Sequence, residues 1–255
     1  MFSIIESNIF KTYSIMKVTY LSHSGFIVTL PDALLVFDYL NDPAHALPKA
    51  LDANPQLPVI FFVSHSHNDH FNPGIFEMAQ NHNRTYVISN DVKAMRIPST
   101  LAVAGMSAGD RVEDLPGGIK VTAYGSTDKG VSFLVTTSSG ETIFHAGDLN
   151  LWQWKEESTQ REIKEARNAF DVIVNRIASE VDNIDVAMFP VDNRQGNGYA
   201  EGASIFLSKI KVRNFFPMHF GHDYKEACDF DLYVPENSPT QPHCLHTPGS
   251  SVTVE

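Results

Sequence analysis

Apolar residues recur along this chain in two periods, and the change from one to the other predicts its elements. Short runs rich in β-branched and aromatic residues, bounded by turn formers, dominate the first half: Lys17–His23 (KVTYLSH), Gly25–Leu30, Ala33–Leu40, Val59–His65 and Thr85–Ser89. Pro73–His82 (PGIFEMAQNH) opens with a proline, which suits a helix N-terminus. Ile119–Gly125, Val131–Thr137 and Glu141–Asp148 read as three consecutive strands, and the Ser-Ser-Gly between the last two suits a hairpin turn. The clearest helix runs from Thr159 to Ala178. Thr159 and Glu162 have capping-box spacing, and Ile163, Ala166, Phe170, Ile173 and Ile177 form one apolar stripe at steps of three and four. A strand (Asp185–Val191), a helix (Glu201–Ile210) and another strand (Asn214–Phe220) follow. Blocks of strands with helices between them favour an α+β arrangement of two packed sheets with helices outside over one parallel sheet. Periodicity alone does not choose between them.

Composition narrows the classes. The 255 residues fit one large domain or two small ones, and 43% hydrophobic residues supply a sizeable core. No run is long enough to span a bilayer, and the first residues lack a basic segment followed by an apolar one, so no membrane or secretory role is expected. The formal charge of −11 argues against nucleic acid, whose phosphates need a basic surface. The expected partner is a small-molecule substrate. Cys228 and Cys244 leave a disulfide open, but two thiols in a chain of this size fit a reducing, cytoplasmic compartment better.

The stretch VIFFVSHSHNDHF, Val59 to Phe71, changes the picture most. A run suited to a buried strand ends, and His65, His67, Asp69 and His70 follow within seven residues. A lone histidine is usually a satisfied polar residue. Four clustered imidazole and carboxylate groups are the ligands that zinc and related divalent ions take. Alternate residues of a loop leaving a strand can point to one place, so His65 and His67 can grip one ion while Asp69 and His70 face a second. Asp38, Asp148 and His219 stand at the ends of other predicted strands, where a sheet can present them to the same cleft.

With these residues in place, the sequence resembles the metallo-β-lactamase superfamily of metal-dependent hydrolases over nearly its whole length, from about Met16 to the C-terminus. The motif H-x-H-x-D-H stands here as His65-Ser66-His67-Asn68-Asp69-His70. The opening YLSHSGFIV and the FHAGD segment look most like the branch containing ascorbate-6-phosphate lactonase. The resemblance implies a four-layer αββα sandwich, with residues 16–255 as the hydrolase domain and 1–15 as an extension outside it. It implies two divalent ions, zinc first, with manganese or iron as alternatives. His65 and His67 would hold the first ion, Asp69, His70 and His219 the second, with Asp148 bridging and Asp38 behind the ligands. Asp69 would also orient the nucleophile and pass its proton on.

One departure stands out. The family has a further histidine for the first metal, between the motif and the strand-end aspartate. The expected position, in YGSTDKGVSF, holds Ser126, Thr127 and Asp128. Asp128 is the best substitute, since a carboxylate oxygen can ligate zinc or manganese; the bland alternative is an aspartate that only turns the loop. His145 should face away from Asp148, because side chains alternate along a strand. Arg194, Tyr199 and Lys129 are candidate substrate contacts, and Trp152 or Trp154 a candidate roof. The reaction expected is hydrolysis of a small ester, lactone or related substrate. The alternatives are a phosphodiesterase directed at RNA or phospholipid, a di-iron oxidoreductase, and a binding protein with a dead site.

Overall fold

Strands form where β-branched and aromatic residues run together, and helices cover what those strands leave apolar. The structure, a computed structural model, describes residues 14–255. The strands are β1 (Met16–Ser22), β2 (Gly25–Thr29), β3 (Leu34–Phe37), β4 (Val59–Val63), β5 (Arg84–Ser89), β6 (Val103–Met106), β7 (Arg111–Leu115), β8 (Ile119–Gly125), β9 (Val131–Thr136), β10 (Thr142–His145), β11 (Asn183–Pro190), β12 (Lys211–Met218), β13 (Gln241–Pro242) and β14 (Ser251–Val254). Among the described residues four α-helices accompany them: α1 (Ala46–Ala53), α2 (Gln160–Glu180), α3 (Glu201–Lys209) and α4 (Tyr224–Ala227).

Two seven-stranded sheets result, in the orders β14-β1-β2-β3-β4-β5-β6 and β13-β12-β11-β10-β9-β8-β7. Each is mixed in the same way. The first is antiparallel through β3 and parallel from β3 to β6. The second is antiparallel from β7 to β10 and parallel from β10 to β13. All five residues of β4 are buried, as expected for a strand covered on both faces. The inner faces meet through contacts such as Phe62 on Phe133 and Phe26 on Phe216. This is the two-sheet, helix-flanked α+β sandwich expected from the sequence.

Helix α2 begins where its capping box predicts. Thr159 accepts from the Glu162 N–H, and the Glu162 carboxylate accepts from the Thr159 N–H. Phe170, Val174 and Ile177 are its buried face, each contributing about 1.5–3 kcal/mol by burial. Phe170 and Phe206 of α3 both pack on Phe189 of β11. On the opposite side, Ala46 and Leu47 of α1 and Ile75 and Phe76 close over the first sheet.

Two expectations need correction. The helix expected over Pro73–His82 is a single 3-10 stretch, Pro73–Glu77. Arg84 Nη1 takes the carbonyls of Phe76 and Met78, and Ala79 turns the chain in the left-handed region at φ 50°. Cys228 and Cys244 are joined as a disulfide, with Cα atoms 5.4 Å apart, instead of standing as two thiols. Packing brings Tyr224 onto His246 near the bridge, at 3.8 Å between ring centroids. The expected extension, residues 1–15, lies outside the described residues except for its last two. Of these, the Ser14 N–H donates to Glu141 Oε1 at 2.9 Å. Among the described residues no helix is long and apolar enough to cross a membrane.

Candidate metal centre

The C-terminal ends of parallel strands from both sheets converge on one edge. Asp38 follows β3, His65 follows β4, Asp148 follows β10, Asp192 follows β11 and His219 follows β12. Ligand sites collect at such carboxyl ends because the loops there are free to diverge from the packed strands.

Asp148 is the centre. Its Oδ2 lies 3.2 Å from His65 Nε2 and 4.0 Å from His67 Nδ1. Its Oδ1 lies 3.1 Å from His70 Nε2 and 3.4 Å from His219 Nε2. One carboxylate therefore turns each of its oxygens to a separate pair of imidazoles. His65 Nε2, His70 Nε2 and Asp148 Oδ1 are buried without a hydrogen-bond partner. Buried polar atoms normally find partners, and three donor atoms left open at such distances fit divalent metal ions.

The groups behind the imidazoles explain why those nitrogens face inward. Asp38, fully buried, accepts from the Ser64 N–H at 2.7 Å, the Ser64 hydroxyl at 2.5 Å and His70 Nδ1 at 2.7 Å. His65 Nδ1 lies 3.0 Å from Ser64 Oγ, and His219 Nδ1 donates to Asp192 Oδ2 at 2.9 Å. Each partner takes the Nδ1 proton, which leaves the Nε2 lone pair for a metal. Trp152 Nε1 donates to the Asp148 carbonyl at 2.8 Å and fixes the turn that carries it.

Electrostatics agree. Burial raises the Asp148 carboxyl, but the His65, His70 and His219 imidazoles more than offset this and hold it well below the usual range. Asp38 is likewise lowered against its burial by His145 and His70. Burial lowers His70, yet Asp148 and Asp38 lift it to about 10. The two carboxylates therefore favour positive charge at the imidazole between them, the charge a divalent ion would supply.

The other expected residues divide. Asp128 Oδ2 lies 3.6 Å from His67 Nδ1, and His67, Asp128 and Asp148 form one group of converging donor atoms. Thr127 Oγ1 accepts the Asn150 N–H at 3.0 Å, so the loop bearing Asp128 is tied to the strand end bearing Asp148. Gly130 closes the same loop at φ +68°, and a Cβ there would lie 2.0 Å from the Ser64 carbonyl oxygen. His145 is fully buried, with Nε2 2.8 Å from the Ser24 carbonyl oxygen and its ring stacked on Phe37, and belongs to no candidate ligand group. A cavity of about 360 Å³ opens over Asp148, with Asp69, Asp128, Trp152, Trp154 and Arg194 on its walls. Arg194 is committed to Asp192, its Nε lying 2.8 and 3.0 Å from the two carboxylate oxygens. Tyr199 is not on the cavity wall. Its hydroxyl donates to the Glu226 carbonyl at 3.3 Å. Lys129 lines a neighbouring cavity instead.

Sequence reasoning missed two residues. Asp192 follows a strand as Asp38 and Asp148 do, and that position was its signal. His23 lies in the β1–β2 turn, with Nε2 3.4 Å from Asp69 Oδ2 and its ring centroid 4.1 Å from that of His219. Its signal was only a histidine between two strands. His23, Asp38 and His219 all have positive φ, of 52°, 39° and 64°. Non-glycine residues held in that region tend to cluster at functional sites.

Known proteins place this geometry. A metal-dependent hydrolase of the UPF0173 group from Opitutus terrae is 26% identical over 264 residues, covering 94% of this chain and 100% of its own. One from Methanosphaera stadtmanae is 24% identical over 231 residues, covering 80% and 84%. The fold matches Igni18, a metallo hydrolase from Ignicoccus hospitalis, with a TM-score of 0.63 at 16% identity, covering 94% of this chain and 99% of that one. The beta-lactamase superfamily domain matches residues 29–220. That span runs from β2 past β12 and holds every group around Asp148 except His23, so the chain belongs to the β-lactamase superfamily.

Proposed function

We infer that this protein is a metal-dependent hydrolase that cleaves a small ester, lactone or related substrate at a dinuclear site, with zinc as the first-choice ion. The observation that carries the reading is the division of Asp148 between two sets of imidazoles, Oδ2 toward His65 and His67 and Oδ1 toward His70 and His219. His65, His67 and Asp128 would hold one ion, Asp69, His70 and His219 the other, and Asp148 both. A pair of divalent ions supplies a water of near-neutral pKa and polarisation of the attacked bond.

The chain's own groups do the rest. Asp69 is half exposed on the cavity wall, so its carboxylate can orient a water and hand its proton to the leaving group. The His23 imidazole beside it comes first among the effects that keep that carboxyl well below its usual range. A weak base of this kind serves better to position the nucleophile than to hold its proton. Trp152 and Trp154 give the cavity an apolar wall on which the uncharged part of a substrate can rest.

The test pairs elemental analysis with turnover of a neutral ester, a lactone and a phosphodiester, before and after chelation. Expected are two equivalents of metal and chelator-sensitive hydrolysis of the ester or lactone. Turnover of the phosphodiester alone favours the phosphodiesterase reading. Full metal with no turnover of any of them favours a non-catalytic homologue.

A further inference from the structure

A second cavity of about 360 Å³ adjoins the one over Asp148, lined by Ser66, His67, Asn68, Lys93, Arg96 and Lys129. His67 belongs to both, so a single imidazole separates them. The second cavity gathers three cations and no carboxylate, on a chain whose net charge is −11. They come from two segments distant in sequence. Lys93 precedes and Arg96 ends a 3-10 turn after β5, and Lys129 sits between β8 and β9. Two acids of the same segments border the cavity without lining it. Asp91 accepts the Ser66 N–H at 3.0 Å, and Asp128 turns to His67.

Both segments are fastened to the metal-binding loop. Arg96 Nη1 donates to the Ser66 carbonyl at 2.7 Å, and its guanidinium lies 4.4 Å over the Phe71 ring. The chain just after Lys129 is clamped through the Val131 N–H to the Ser64 carbonyl at 3.0 Å. Arg96 has no acid partner among the described residues; its Nη1 and Nη2 are held by Ser66 and Asn68, so its guanidinium gives the cavity a fixed positive charge to which Lys93 and Lys129 add mobile ones. Like charges gathered this way repel one another, and an anion between them removes that repulsion. The other cation at the centre, Arg194, is neutralised by Asp192, so the positive charge open to a substrate lies on the His67 side.

We propose that this second cavity is a subsite for an anionic group of the substrate, carboxylate or phosphate oxygens, which sets the scissile bond over Asp148. The inference rests on the hydrolase reading for its substrate, but not for its binding test. The hydrolase substrate would then be a small molecule with an oxyanion at one end and the bond to be cut a few atoms away.

Two measurements on the metal-loaded protein test it. Succinate and methylphosphonate are titrated calorimetrically into the wild type, the Lys93→Met/Lys129→Met double variant and a remote control, Lys164→Met on the exposed side of α2. Anions that reach the metals do so in all three proteins, so the difference isolates the cavity. The double variant should bind about tenfold more weakly than the wild type, about 1.4 kcal/mol, and the control should match the wild type. The stronger of the two probes identifies the oxyanion. In parallel, the ratio of kcat/KM for the 4-nitrophenyl esters of succinate and butyrate should fall about tenfold in the double variant. An unchanged Kd in the double variant, or an equal loss in Lys164→Met, overturns the subsite whatever the esters show. Absence of all ester turnover, with the binding difference intact, counts against the hydrolase reading and leaves the anion site standing.

Discussion

His23 Nε2 and Asp69 Oδ2 lie 3.4 Å apart, and the histidine that makes this contact sits at φ 52° in the β1–β2 turn, on the same edge of the first sheet as Asp38. The two belong to segments 46 positions apart, 69 minus 23. The His219 N–H also donates to the His23 carbonyl at 3.2 Å, so the turn braces two members of the Asp69, His70, His219 group. A left-handed, non-glycine conformation costs about 1–3 kcal/mol and persists only when its surroundings hold it.

His23→Ala should therefore loosen Asp69 and weaken metal at the His70 side about tenfold to a hundredfold, the usual effect of removing a partner behind a ligand. Metal at the His65 side should change little. Competition with a chromophoric chelator reads both events. His23→Asn, which keeps a donor, should recover part of the loss. An unchanged tighter event in His23→Ala would show that Asp69 is held by something else.

Asp38 should matter more for stability than any other group here. It accepts three hydrogen bonds with no exposure to water. Asp38→Asn leaves the Ser64 and His70 donors with a weaker, uncharged acceptor. The loss should be about 3–5 kcal/mol, as for a broken buried pair, read as a lower urea midpoint in the metal-free protein. Zinc affinity should fall as well, because His70 is no longer held with Nε2 inward. A variant as stable as the wild type would contradict this account of the network.

Asp128 is the residue expected to complete the first metal site, and it faces His67 at 3.6 Å. Zinc titration of the metal-free protein should show two separated binding events, the weaker at His65 and His67. Asp128→Ala should weaken only that one. Asp128→His should tighten it for zinc, since imidazole suits zinc better than a hard carboxylate does. Two equally tight events, indifferent to Asp128→Ala, would return Asp128 to the role of a turn residue.

Glu141 supplies a pH test away from the metals. Burial pushes its carboxyl up, but hydrogen bonds from Thr137, the Ser14 N–H and Ser139 outweigh it and bring the value down to about 2. A carboxylate lowered on folding stabilises the fold above its unfolded value, about 4.3. That contribution is lost as pH falls through about 2. In the metal-free protein, Glu141→Gln should lose at most about 3 kcal/mol at pH 7. Its deficit relative to the wild type should shrink steadily below pH 4. A deficit independent of pH would mean that the loss is one of packing rather than charge.

The groups legible in the sequence share a physical reason: their geometry is local. His65, His67, Asp69 and His70 fall within seven residues of a strand exit, so the backbone itself brings them to one side. The same holds for the capping box at Thr159 and Glu162, set by a single turn of helix, and for the β9–β10 hairpin around Gly140. Asp38, Asp148 and His219 were readable as strand ends because a strand that stops in a polar residue delivers it to the sheet edge.

What only the tertiary structure decided involves elements far apart in the chain. The helix expected after Pro73 is cut short by Arg84, a residue outside its window. Tyr199 turns from the cavity because the Glu226 backbone offers its hydroxyl a partner. Asp192 behind His219 and His23 beside Asp69 meet their partners across 27 and 46 positions. The division of Asp148 between two pairs of imidazoles likewise depends on packing one sheet against the other. Local chemistry determined which groups this chain could offer a metal. The relative placement of two sheets, set by burial of their inner faces, decided which oxygen faces which nitrogen.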